Sequence, residues 1–283
     1  MIPILIFAFL GLAGPSQAHV AAWHKGMYCL NGTSPSDAQN PNEPVNPLWN
    51  LPKSQWWFHH VNNCDQFPPA PGDFLELPAG GTFTVEHATN RAYTSLSYGG
   101  QYTSDWPDGG HYPDDYSMPN NDCIVTPNLH TKNQAGAAGT AFAISYTSDL
   151  TQVTEDNLAV FTVRYNTPWK RIASYDVPAD LPPCPPGGCI CAAGWVPNGC
   201  GQPNMYMLPY RCMVTGSTSR KTVAPAKPPV WCEGNLSACT QGSKQMVYWN
   251  QAEGNNIVTP GYQADGAEKS PGYNMKLGFQ NGS

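Results

Sequence analysis

Apolar and polar positions alternate with a period of two in several separate stretches of the chain. Ala159-Val160-Phe161-Thr162-Val163-Arg164-Tyr165 is the clearest, and Thr82-Phe83-Thr84-Val85-Glu86-His87 repeats the pattern. Ala92 to Tyr98 alternates more loosely. Gly139-Thr140-Ala141-Phe142-Ala143-Ile144-Ser145-Tyr146 is a continuous run, as expected of a strand buried on both faces. Ile172 to Val177 predicts a further strand. Residues 19–30 read as a first strand ending at Cys29, and Asn204 to Val214 and Gln245 to Trp249 complete the apolar material. No helical period lasts beyond a turn or two; Gln55-Trp56-Trp57-Phe58-His59-His60 suits one helical turn or an extended wall. Residues 31–54 and 99–128 read as long polar loops, and Cys184 to Cys200 as a Cys/Pro/Gly knot. With no repeat and no linker, the expectation is a single all-β domain. Its fold class is an immunoglobulin/fibronectin-III-like antiparallel β-sandwich with long disulfide-linked loops.

The first eighteen residues do not belong to that domain. Residues 2–13 are apolar, Gly14 and Pro15 follow, and Ser16-Gln17-Ala18 is a small-x-small cleavage pattern, so residues 1–18 predict a secretory signal peptide. The run is too short for a membrane span, and no later stretch is long enough for one. The predicted mature domain is therefore 19–283. Ten cysteines behind such a leader indicate an oxidised, extracellular protein with up to five disulfides, their pairing left open. Cys189-x-Cys191 is read as two bridges leaving a tight knot, not as a metal thiolate. Sequons at Asn31, Asn235 and Asn281 fit a secreted glycoprotein. A net charge of −6 and 12% charged residues offer nothing basic enough for nucleic acid or an acidic membrane.

Cleavage after Ala18 would make His19 the first residue. A terminal histidine presents its α-amine and its imidazole Nδ1 together, and the two close a six-membered chelate ring on one metal ion. Some residue must stand at that position, so the junction alone establishes nothing further. Six other histidines could complete a site. His24 is too near along an extended segment, and His87 ends an alternating strand as a core or edge residue. His59 and His60 are neighbours that point different ways. Two loop histidines remain, His111 and His130.

The blocks Pro127-Asn128-Leu129-His130-Thr131, Gly139 to Tyr146, Cys189-Ile190-Cys191, Asn204-Met205-Tyr206-Met207 and Asn250 to Asn256 resemble auxiliary activity family 14 of the lytic polysaccharide monooxygenases. The resemblance covers nearly the whole mature chain. It implies one copper ion, cycling between Cu(II) and Cu(I), held in a histidine brace by the His19 amine and Nδ1 and by His130 Nε2. Tyr206 would be the axial phenol. It also implies an external electron donor, with dioxygen or hydrogen peroxide as cosubstrate, and monooxygenase or peroxygenase attack beside a glycosidic bond. The implied partner is an insoluble polysaccharide, xylan-coated cellulose, met by a secreted monomer. Nitrogen donors suit copper, which heads the divalent affinity order. Because the free amine titrates near pH 7.7–8.0, binding should weaken in acid.

One departure concerns the amide beside the metal. Cellulose-active relatives carry Gln two residues before the axial Tyr, whereas this chain has Asn204 there and Gln202 two residues further back, so either could orient the oxygen cosubstrate. Tyr210 shares Tyr206's face if the strand is regular, although Pro209 lies between them. Trp23, Trp56 and Trp57 read as aromatics that could stack on a glycan. Two other readings stand beside the enzyme: a non-catalytic copper-binding or copper-transport protein on the same sandwich, and a secreted carbohydrate-binding module.

Overall fold

The computed structural model describes residues 19–119, 122, 123, 126, 127, 129–263, 266 and 268–282. The signal peptide read over residues 1–18 and Asn128 lie outside them. Eight strands form two sheets: β1 (Ala21–Trp23), β2 (Leu75–Pro78), β3 (Thr82–Ala88), β4 (Thr140–Ser145), β5 (Ala159–Arg164), β6 (Ile172–Asp176), β7 (Cys189–Trp195) and β8 (Tyr206–Thr215). The smaller sheet has the order β1-β3-β6 and the larger β2-β8-β7-β4-β5. The expected sandwich is there, with one departure from antiparallel pairing: β2 runs parallel to β8.

Side-chain parity explains how the layers meet. In β3 and β6 alternate residues face inward, so Phe83, Val85, Ala173 and Tyr175 are buried. Across from them lie Phe142 and Ile144 of β4 and Leu208, Tyr210, Cys212 and Val214 of β8, in one core cluster. Phe83 stacks on Tyr175 at 5.2 Å and meets Phe142 edge-on at 4.9 Å. The larger sheet is covered on its outer face too. Ala141, Ala143, Ile190, Ala192 and Met207 pack there against Trp56, Phe58, Tyr248, Trp249 and Tyr273. Burial on both faces is why every residue of β4 is buried and why its sequence does not alternate.

Several expectations change. The first strand is only Ala21–Trp23; beyond it one isolated pair joins Met27 to Tyr210, and Cys29 takes a left-handed φ of 62°. Ala92 to Tyr98 is not a strand but a bend between turns at Arg91–Tyr93 and Tyr98–Gly100, because buried Arg91 binds main-chain carbonyls on two segments. Strand β7 lies inside the cysteine knot, where Cys, Ala and Gly hid its period. Met246 to Trp249 are buried as an irregular cover rather than a strand. Trp23 and Trp56 are buried, their indole N–H groups donating to the carbonyls of Ala88 and Glu253, so neither can stack on a glycan. Trp57, on the turn after helix α1 (Lys53–Trp56), is half-buried.

All ten cysteines pair: Cys29–Cys64, Cys123–Cys200, Cys184–Cys189, Cys191–Cys212 and Cys232–Cys239. The Cys189 and Cys191 bridges do leave in different directions, as expected. Among the described residues no helix is long and apolar enough to cross a membrane.

Burial pushes the imidazoles of His59 and His87 from 6.5 down to about 4. The unfolded chain takes up those protons near pH 6.5 and the folded chain does not. Their contribution is therefore complete above pH 6.5 and lost as pH falls toward 4, at most about 3 kcal/mol each. The thermal midpoint of the metal-free protein should drop across that window. His59→Leu should make the fall shallower by about one proton, measured as the slope of unfolding free energy against pH.

Candidate functional site

One end of the sandwich gathers the start of β1, the start of β8 and the end of β7. Tyr206 opens β8 and pairs with Trp195, which closes β7. Their rings stack at 4.6 Å, 19° from parallel. Val20, Trp106, Leu129 and Trp169 pack with them in a small cluster of their own. Burying Val20 leaves its neighbour His19 half-buried at the edge of that cluster, with Nδ1 3.3 Å from the Tyr206 hydroxyl. Four residues along β8, the Tyr210 phenol donates to the carbonyl of Ala22. Strand β8 continues through Pro209, so the two tyrosines do share a face, and both hold the N-terminal segment. Burial pushes the Tyr206 pKa far above its usual 10, which keeps a neutral phenol there.

His130 reaches the same cluster from a loop. It is buried and adopts a left-handed φ of 51°, a conformation that costs a residue with a Cβ and must be held by its surroundings. The restraint is visible. Its Nδ1 bonds to the carbonyl of Cys200, and its ring stands edge-on to Trp195 at 5.8 Å. A carbonyl can only accept, so Nδ1 carries the proton and Nε2 the lone pair. Cys200 is itself bridged to Cys123, seven residues before His130, so the loop and the carbonyl that orients it are covalently joined.

The remaining histidines are elsewhere. His111 is exposed in its loop. His87 pairs with the Tyr175 hydroxyl at 2.9 Å in the core, and His60 with Asp65 at 2.9 Å. Of the two amides, Gln202 is exposed while Asn204 is buried, its Oδ1 without a hydrogen-bond partner among the described residues. Trp195 and the Cys200 carbonyl were not legible as site residues. A Trp closing a cysteine-rich stretch looks like core, and a main-chain carbonyl leaves no signature.

Among the described residues no group of three or more His, Cys, Asp or Glu side chains could hold a metal ion. A metal held here would need other donors: two imidazoles, a neutral phenol and, were His19 the first residue, its main-chain amine. That set fits a nitrogen-preferring ion such as copper. The sequence matches the family Lytic polysaccharide monooxygenase AA14 over residues 1–283. The chain belongs to that family. An AA14 family lytic polysaccharide monooxygenase B of Pycnoporus cinnabarinus is 36% identical over 99% of this chain and 74% of its own. Another, from Trametes coccinea (strain BRFM310), is 35% identical over 99% of this chain and 66% of its own. A third, from Talaromyces rugulosus, is 34% identical over 93% of this chain and 90% of its own. As an AA14 protein the chain is a monooxygenase acting on polysaccharide.

The His130 geometry can be read directly. In the metal-free AA14 domain at neutral pH, imidazole ¹⁵N shifts should show the Nδ1–H tautomer for His130. The Nε2–H tautomer would mean that the Cys200 carbonyl does not orient the ring.

Proposed function

We propose that the protein is a secreted, copper-dependent oxidase of plant cell-wall polysaccharide, acting on xylan associated with cellulose. His19 would hold the metal through its Nδ1 and, once cleavage after Ala18 frees it, its α-amine; His130 would add Nε2. The observation that carries this reading is the approach of His19 Nδ1 to the Tyr206 phenol, beside a His130 whose proton is already committed to Cys200. Copper bound there would supply one-electron chemistry which, with an external donor and dioxygen or hydrogen peroxide, oxidises a C–H bond beside a glycosidic link.

The chain's own residues set the conditions for that chemistry. Tyr206, neutral and backed by Trp195, would offer a bound metal a weak oxygen donor that adds no charge. The Cys200 carbonyl fixes the His130 ring and raises its basicity, as a partner to the second nitrogen of a metal-bound imidazole does. We assign to Asn204 the orientation of the oxygen cosubstrate, since it is buried and Gln202 is exposed. The ten paired cysteines support an extracellular setting. A neutral phenol at Tyr206 also weighs against a copper carrier, which would be expected to place a carboxylate there.

Retaining one alanine ahead of His19 turns its amine into an amide and removes half of the chelate. Copper-loaded protein should release oxidised oligosaccharides from xylan-coated cellulose when given reductant, read by mass spectrometry. The extended protein and His130→Ala should each lose that activity, with copper affinity down by orders of magnitude, while His111→Ala keeps both. Equal affinity in the extended protein would defeat the brace, and an inactive His111→Ala would mean that the wrong imidazole has been assigned.

A further inference from the structure

Buried Arg91 joins two loops that take no part in the site described above. Its guanidinium donates to Asp37 at 2.8 Å, to the carbonyls of Ala38 at 2.7 Å and Leu96 at 2.8 Å, and to the side chain of Asn31. The planar fork of donors fixes the two loops in one relative position. A second tie runs from the Tyr98 N–H to Gln39 Oε1 at 2.8 Å. Between the loops lies a groove of about 470 Å³, lined by Asn31, Thr33, Ser34, Gln39 and Asn42 among others, with Tyr98 as one wall.

Tyr98 is the unusual member. Its φ is 48°, followed by 61° at Gly99 and 79° at Gly100, three left-handed residues in succession. Glycine adopts that conformation freely, whereas tyrosine is strained in it. The strain is not offset by burial: Tyr98 is 46% exposed, and its ring partner Tyr102, edge-on at 5.3 Å, is 49% exposed. A strained backbone that displays two aromatic rings beside a rigid polar groove has the form of a binding platform.

The lining selects the ligand. No Lys or Arg lines the groove, and Glu43 is its one charged member, so it does not suit a phosphate, a sulfate or an acidic chain. Hydroxyls and amides pair with the hydroxyls of a neutral sugar, and a tyrosine face packs on the C–H face of a pyranose ring. We propose that this groove is a second polysaccharide-binding site, which holds a neutral glycan chain while bond cleavage takes place at the histidines. The choice of ligand rests on the polysaccharide reading, but binding in the groove requires no copper.

The test therefore uses the metal-free, processed chain, produced without N-glycans because Asn31, which opens a sequon, itself lines the groove. Xylohexaose and cellohexaose are titrated in turn, and affinity and backbone amide shifts are recorded. The proposal expects binding of at least one of them with shifts at Tyr98 and Gly99. Tyr98→Gly should weaken that binding by ~10-fold or more, the loss of one aromatic contact. Its thermal midpoint should stay level or rise, since glycine relieves the backbone strain. Tyr102→Ala should give a smaller loss. Three results would each overturn the proposal: no binding of either oligosaccharide, affinity in Tyr98→Gly within twofold of the parent, or a lowered midpoint with binding intact. None of them depends on copper or on cleavage, so they leave the assignment of His19 and His130 to be judged by its own experiment.

Discussion

Strand β8 places Tyr206, Leu208, Tyr210, Cys212 and Val214 on one row, and most of the structure depends on that register. Leu208, Tyr210, Cys212 and Val214 fill the space between the sheets, while Tyr206, at the open end, faces His19 instead. A slip of one residue would turn the whole row over and send the Tyr206 phenol to the opposite face. Two contacts resist it. Cys212 is bridged to Cys191 on β7, and the Tyr210 phenol holds the Ala22 carbonyl on the opposing sheet. Core packing and site geometry are thus one constraint.

The N-terminal segment is held by the same strand. β1 is only three residues long and could not fix His19 through its own ladder. Buried Val20, the Tyr210–Ala22 bond and the Trp23 indole on the Ala88 carbonyl do it instead. On the other side, His130 sits in a loop without regular structure, where a side chain is hard to position to a fraction of an ångström. The Cys200 carbonyl and the Cys123–Cys200 bridge supply that restraint.

What the sequence showed follows from which interactions are local. Alternation in Thr82–His87 and the apolar run from Gly139 reported real strands, because the period reflects the faces buried. β2 and β7 escaped notice: Leu-Glu-Leu-Pro is too short to show a period, and Cys-Ile-Cys-Ala-Ala-Gly-Trp uses small residues on a sheet covered on both sides. Ala92 to Tyr98 misled because Arg91, a charged residue just outside the pattern, is buried and bends the backbone around itself. Trp23 and Trp56 were misread as surface residues, since a sequence does not reveal which tryptophans find a carbonyl for their N–H. Tyr206 entered through the family resemblance, whereas His19, and His130 alongside His111, could be named as candidates from the residues. What brings them together could not be, because the Cys200 carbonyl lies 70 residues beyond His130 and Tyr206 lies 187 beyond His19.

The proposed metal centre consists of a main-chain amine, the His19 imidazole and a His130 imidazole whose tautomer is set by the Cys200 carbonyl. Pulsed electron paramagnetic resonance of the processed protein loaded with one equivalent of Cu(II) tests it most directly. The expected spectrum shows three directly bound nitrogens, one an amine and two imidazole. The remote nitrogen of the His130 ring should be protonated and sensitive to its bond with Cys200. A spectrum with only two bound nitrogens, or one unchanged when His19 is preceded by another residue, would contradict it.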